Sequence, residues 1–282
     1  MTIPPWLDDF LWTYQNLIHG LGVNGLLALS MYVVLAVGQL SLGQAAFMGL
    51  GAYSGALLSM KLHWPFALVL PASCVPPVVF ALIIGVPTLR LSGVYLAIAT
   101  IGLGEVLRSL YLKWDYVGGA LGLNGIPERA ETWMMFLALG LATLALFLIG
   151  RSRFGRAMEA MREDATGAAA MGIDVRRYHL VALVASAVLA GLAGSLAAHA
   201  SDFISPNEYG FEPAVTILSF ALLGGIGNPL APVAGAWFLT LLPELMRDLP
   251  EIRLALNGAI IVLAVLFLPR GLFGWRMKRS GA

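Results

Sequence analysis

The chain has 282 residues, of which 59% are hydrophobic and 12% charged, with a formal net charge of +1. One soluble core cannot bury that share of apolar residues, so a water-soluble globular protein is excluded and lipid is the natural solvent. The near-neutral balance gives no basis for a nucleic-acid partner, and the single cysteine, Cys74, excludes an internal disulfide or a multi-cysteine metal site.

From the N-terminus onward, recurrent apolar runs predict an all-α, polytopic helical membrane protein that forms a single transmembrane domain. It should have about nine spans, within a range of eight to ten, some of them interrupted. The runs lie near 20–37, 42–60, 66–87, 93–112, 133–150, 180–200, 214–226, 231–247 and 254–269. Asp8 and Asp9 stand where a cationic segment would precede a cleaved signal, so no cleaved secretory signal is expected.

The second run begins with GQLSLGQAAFMGLGAYSGALL, residues 38–58, which holds two glutamines and five glycines. On a helix, Gly38, Ala45, Gly49, Ala52 and Ala56 form one small-residue stripe, and Gly51 and Gly55 add a G-x-x-x-G pair. Both patterns suit close helix contact in lipid. Gln39, Ser41 and Gln44, beside Gly38 and Gly43, make the start of this span easy to unwind, and exposed backbone at that depth is tolerated only against protein or a water-filled cavity. The residues leave two readings open, a packing face and the border of a transport path.

The fourth run carries Glu105 and Arg108. An Arg at mid-bilayer costs about 2.5 to 3.5 kcal/mol on an insertion scale, which makes a charged pair a functional candidate. Their i, i+3 spacing and the position of Arg108 near the end of the run instead favour a structural pair with a snorkelling arginine.

Between the fifth and sixth runs, residues 151–179 read RSRFGRAMEAMREDATGAAAMGIDVRRYH. Phe154, Met158, Met161 and Ala165 share one helical face, which describes an amphipathic surface helix. Asp164 can cap a short helix through ATGAAAM, Gly172 can end it in the left-handed conformation, and Asp174 can cap the next span. Such a stiff projection suits docking of a soluble partner, and it equally suits lying on the headgroups. Further on, LLGGIGNPLAPVAGA, residues 222–236, interrupts the apolar pattern at Gly224, Gly225, Gly227, Asn228, Pro229 and Pro232. It reads either as a tight turn between two spans or as the partner of the first polar break in a pseudo-symmetric pathway.

Basic residues cluster at Arg151, Arg153, Arg156, Arg162, Arg176 and Arg177, and again at Arg270, Arg276, Lys278 and Arg279. The positive-inside rule places both clusters in the cytoplasm, which puts the N-terminus outside and the C-terminus inside. No G-x-x-x-x-G-K-[ST] loop or H-E-x-x-H motif is present, and the four histidines are scattered. No catalytic residue, metal site or cofactor is therefore expected.

The four blocks GQLSLGQAAFMGLGAYSGALL, YLAIATIGLGEVLRSLYLKWDYVGGALGLNGIP, GRAMEAMREDATGAAAMGIDVRRYHLVALVASAVLAGLAGSL and LLGGIGNPLAPVAGA occur in this order. Together they resemble the membrane permeases of branched-chain amino-acid ABC importers, of the LivM type. The resemblance implies a permease domain over residues 1–282 in a bacterial inner membrane. It also implies a LivH-type second permease, two cytoplasmic ATP-binding subunits that bind the ATP, and a periplasmic amino-acid-binding protein. Under it, Arg162, Glu163, Asp164, Ala165 and Gly172 face an ATPase, while Gln39, Ser41, Gly43, Gln44, Gly49, Gly51 and Asn228 line or border the path. A permease for urea, short amides or sugars would share these blocks. An ion-coupled carrier would need intramembrane acids, and Glu105 and Glu244 are the candidates the runs offer.

Overall fold

The computed structural model describes residues 14–88, 91 and 93–245. The expected span 254–269 and the basic tail lie outside the described residues. The chain is a helical membrane protein. Helix α1 is Gln15–Ala36, α2 is Gln44–Met60, α3 is Phe66–Ser73, α4 is Val75–Thr88 and α5 is Val94–Lys113. They are followed by α6 (Thr132–Arg151), α7 (Arg153–Glu163), α8 (Ala165–Ala170), α9 (Val175–Ser201), α10 (Phe211–Gly224) and α11 (Leu230–Leu245).

Five segments among the described residues are long and apolar enough to cross a membrane: α1, the α3–α4 pair, α5, α6 and α9. The pair counts as one 23-residue span, Phe66–Thr88, broken at Cys74 between Pro71 and the Pro76–Pro77 step. Proline removes backbone donors and crowds the preceding turn, which explains a break where the apolar run itself is continuous. At 1.5 Å per residue the 14-residue α10 rises about 21 Å, short of a hydrocarbon layer about 30 Å thick.

The core is built on α1, α2 and α9. Helix α1 buries residues all round its axis, among them Leu26, Leu29, Met31 and Val34, and touches α6, α9 and α11. A helix of that kind belongs at the centre of a bundle. Helix α2 crosses α9 at very close range. A Cβ on Gly51 would overlap the Gly191 carbonyl, one on Gly55 would stand 2.5 Å from Ser195 Oγ, and one on Gly194 would overlap the Met48 carbonyl. Packing of this closeness replaces the hydrophobic effect as the force between helices in lipid. On the outside, α6 exposes Leu137, Leu141, Leu144 and Leu148, a stripe at helical spacing that suits contact with acyl chains.

The two ends of the bundle differ in charge. At the acidic end, the two-residue strands Leu123–Asn124 and Phe203–Ile204 pair antiparallel and join the segment after α5 to the segment after α9. Asp115, Glu128, Glu131, Asp202 and Glu208 lie in these connections. At the basic end, α7 folds back so that Met158 and Met161 are buried with Val33, Ala36 and Val37 of α1 and its exit, and with Ala182 of α9. The amphipathic helix expected between the fifth and sixth runs is thus seated on protein.

Candidate functional site

The first polar break is unwound, as its residues predict. Helix α1 ends at Ala36, and Gly38 takes a left-handed φ of 77°. The Gln39 N–H donates to Val34 O at 3.1 Å and the Gly38 N–H to Leu35 O at 3.0 Å, the paired bonds of a Schellman cap. Gly38 is therefore a helix terminator rather than a member of the α2 stripe. Residues 38–43 then run without helical structure until α2 starts at Gln44.

Gln39, Ser41 and Gln44 are buried, at 6%, 0% and 1% exposure, and they face the interior of this chain. Gln44 Nε2 donates to Ser186 Oγ at 3.3 Å, and Ser186 Oγ lies 2.9 Å from Ser30 Oγ. The Leu42 N–H donates to Thr100 Oγ1 at 2.9 Å, and the Gly43 N–H to Ser41 Oγ at 3.3 Å. The break is thereby tied to α1, α5 and α9 through uncharged groups. Gln39 Oε1 is buried with no hydrogen-bond partner among the described residues. An unpaired acceptor at that depth is costly, so this atom has bonding capacity to offer.

Ser30, Thr100 and Ser186 belong to this cluster and are not discernible from the sequence pattern. Ser30 and Ser186 are single hydroxyls in apolar runs far apart in the chain. Gly49 and Gly51 lie farther along α2 and look different ways. Gly51 meets α9, whereas a Cβ on Gly49 would lie 2.9 Å from Tyr209 Cγ. Gly49 thus admits a stack of tyrosines in which Tyr53 and Tyr111 lie 4.3 Å apart and Tyr53 meets Tyr209 edge-on at 5.8 Å.

Asn228 stands apart from the Gln39–Gln44 cluster. It lies in the turn 225–229 between α10 and α11, where its Oδ1 accepts the Leu230 N–H at 3.1 Å. Of the two readings of this break, the tight turn describes the geometry. A Cβ on Gly224 would overlap the Ala231 carbonyl, so glycine is required for the hairpin to close.

The segment after α6 is capped at each expected position. Asp164 Oδ1 accepts the Thr166 N–H at 2.9 Å and the Thr166 hydroxyl at 2.7 Å, which starts α8. Gly172, at φ 86°, ends α8, and Asp174 accepts the Arg177 N–H at 3.2 Å to start α9. The bonds from the Thr166 hydroxyl and the Gly167 and Thr166 N–H groups hold the Asp164 carboxyl below the usual aspartate value. Ser152, at the start of α7, is a further cap that the sequence reading does not single out.

Within α7–α8 the expected docking residues divide by direction. Glu163, Asp164, Ala165 and Gly172 are exposed. Arg162 turns inward, with 26% of its side chain accessible against 77% for Glu163, and the two groups are 4.0 Å apart. Arg162 Nη1 donates to the Ile226 carbonyl in the α10–α11 turn at 3.0 Å. On the other side, a Cβ on Gly38 would lie 3.4 Å from Arg162 Cα. Arg162 therefore stands between the two polar breaks and touches both.

At the acidic end, the Glu105–Arg108 pair is satisfied within the chain. Arg108 Nη1 donates to Glu105 Oε2 at 2.9 Å, and Arg108 Nη2 to Asn207 Oδ1 at 3.0 Å. Glu105 Oε1 accepts the Phe211 N–H at 2.8 Å, at the N-terminus of α10 where negative charge is favoured. The pair clamps α5 to the start of α10, the structural role its spacing suggests.

Residues 14–266 match the family described as branched-chain amino acid transport system / permease component. The high-affinity branched-chain amino acid transport system permease protein LivM of Escherichia coli is 33% identical over 295 residues, covering 92% of this chain and 68% of that protein. The LivM protein of Salmonella typhimurium is 34% identical over 301 residues, covering 94% and 69%. The autoinducer 2 import system permease protein LsrC of Escherichia coli is 27% identical over 237 residues, covering 76% and 66%. No solved structure matches the chain. With a family match that spans all the described residues and two relatives above 30% identity, the chain belongs to the permease components of branched-chain amino acid transport systems.

Proposed function

We propose that this chain is the permease subunit of an ATP-driven importer for leucine, isoleucine and valine and forms half of its translocation path. A LivH-type second permease supplies the other half. Two cytoplasmic ATP-binding subunits drive it, and a periplasmic amino-acid-binding protein delivers the cargo. The basic end faces the cytoplasm of the inner membrane, with the N-terminus outside and the C-terminus inside. The chain holds no cofactor of its own, since ATP is bound by its partners.

The observation that carries this reading is the position of Arg162. An exposed, capped helix pair offers Glu163, Asp164, Ala165 and Gly172 to a soluble partner, while Arg162 on the same helix bonds to the turn at Ile226 and abuts Gly38. A push on α7 is thus delivered to both breaks in the bundle. The segment 38–43, with Gln39, Ser41 and Gly43 and with Gln44 at its exit, lies outside the regular helical structure of α1 and α2 and so is the part able to change course. Gly49 and Gly51 let neighbouring helices lie close enough to shift together. Asn228 holds the turn that receives Arg162. Weak, uncharged hydrogen bonding along the path suits a zwitterion that must be released, with selectivity left to the binding protein.

The LsrC likeness supports a second reading, in which the same scaffold serves another solute such as urea, a short amide or a sugar. An ion-coupled carrier is disfavoured because Glu105 is engaged by Arg108 and the Phe211 N–H. Gentle extraction of the tagged chain tests the assembly. Copurification of a second permease and two ATP-binding subunits is expected, and recovery of the chain alone from an intact membrane extract would contradict it.

A further inference from the structure

Away from the Gln39–Gln44 cluster and from α7–α8, α6 and α11 form an apolar groove of about 460 Å3, lined by Phe136, Gly140, Phe147, Leu230, Val233 and Trp237 among others. Its polar atoms are already engaged. Thr143 Oγ1 donates to Leu139 O at 2.7 Å, and Trp237 Nε1 donates to Leu21 O at 3.1 Å. The groove therefore offers no hydrogen bond to a zwitterion or to a polar peptide face, and it suits a hydrocarbon chain.

Its length and its mouth identify which one. From Phe136 to Phe147, α6 rises about 16 Å at 1.5 Å per residue, close to half of a hydrocarbon layer about 30 Å thick. The groove is centred on α6: Phe136 stands about 6 Å from Thr132 at the acidic end and Phe147 about 6 Å from Arg151 at the basic end, so an acyl chain entering at the basic end reaches through mid-membrane. At its basic end the Arg151 guanidinium lies 4.3 Å from the centre of the Phe147 ring, and that ring is part of the groove wall. Arg153 and Arg156 follow in the next turn, all three are exposed, and Arg156 Nη1 donates to Arg151 O at 3.4 Å. Among the described residues neither Arg151 nor Arg153 has a carboxylate partner. The cationic side chains stand at headgroup level above an apolar slot.

We infer that this groove is a binding site for an anionic phospholipid, with one acyl chain between α6 and α11 and the phosphate on Arg151 and Arg153. The site is independent of the cargo and of the translocation path. Its occupant ties α6, which leads directly into α7, to α11, which follows the turn that Arg162 holds.

The test uses the intact complex purified in neutral detergent, probed with phosphatidylglycerol and phosphatidylcholine and read by native mass spectrometry. Phosphatidylglycerol should be retained in preference to phosphatidylcholine, and the double variant Arg151→Gln, Arg153→Gln should weaken its binding about thirtyfold, from about fivefold per cation at an anionic surface. A Cβ at Gly140 meets nothing within 4 Å, so Gly140→Trp should fill the groove, leave the complex monodisperse and abolish retention of phosphatidylglycerol. Equal retention of both lipids, or retention unchanged in Gly140→Trp, would overturn the proposal. So would a Gly140→Cys crosslink that captures the second permease, because the groove would then be a protein interface.

Discussion

At the residue scale, two residues control the backbone around the proposed docking region. Gly38 ends α1 at a positive φ and lies against Arg162 Cα, so Gly38→Ala places a Cβ in a left-handed backbone and in tight contact with α7. The conformational cost alone is about 1 to 2 kcal/mol. A lower Tm of the purified complex is expected, together with weaker stimulation of ATP hydrolysis by substrate-loaded binding protein. Asp164 is the second. Its folded pKa lies below the ordinary value of 3.8, because the carboxylate form accepts bonds from Thr166 and Gly167. The cap is fully present above pH 3.8 and is lost as pH falls through the lower folded value. Hydrogen exchange should therefore show α8 protected at neutral pH and frayed in acid. Asp164→Asn should keep a cap and lose this acid dependence, and Asp164→Ala should leave α8 frayed at every pH.

At the scale of elements, α7 has two working faces. The inward face carries Met158, Met161 and Arg162, and the outward face leads through Glu163 to the capped α8. Substitutions on the two faces should fail differently. Arg162→Gln should leave the ATP-binding subunits bound while cargo-stimulated hydrolysis falls. Glu163→Lys should weaken their binding while the Arg162 bond to Ile226 remains. Copurification and ATPase assays on the same preparations separate the outcomes, and loss of binding in Arg162→Gln would place that side chain at the partner surface instead. These elements were largely legible in the sequence, because Asp164, Gly172 and Asp174 act on residues only a few positions away. Gly38 was legible in kind but misplaced, since a glycine fits a packing stripe and a helix terminator equally well. The bonds from Arg162 to Ile226 and from Gln44 to Ser186 join residues far apart in the chain, and nothing local to either member specifies them.

For the whole molecule, charge and apolar spacing define a membrane bundle with a basic and an acidic end, and the fold brings both polar breaks to Arg162 at the basic end. The break at Cys74 depends on proline within a run that is otherwise continuously apolar, whereas the shortness of α10 was visible in the short run 214–226 and in the glycines that end it, Gly225 at φ 97°. The division of exposed surface follows from the solvent being lipid: leucines line the outside of α6 while uncharged polar groups are gathered inside. The central claim is that this chain carries branched-chain amino acids under the control of ATP-binding partners. The direct test is uptake of radiolabelled leucine into vesicles containing the reconstituted complex, with ATP supplied on the side of α7 and binding protein on the other. Leucine should accumulate only when ATP and the binding protein are both present, and Arg162→Gln should abolish uptake without dissociating the complex. Accumulation driven by an ion gradient in the absence of ATP would contradict the account.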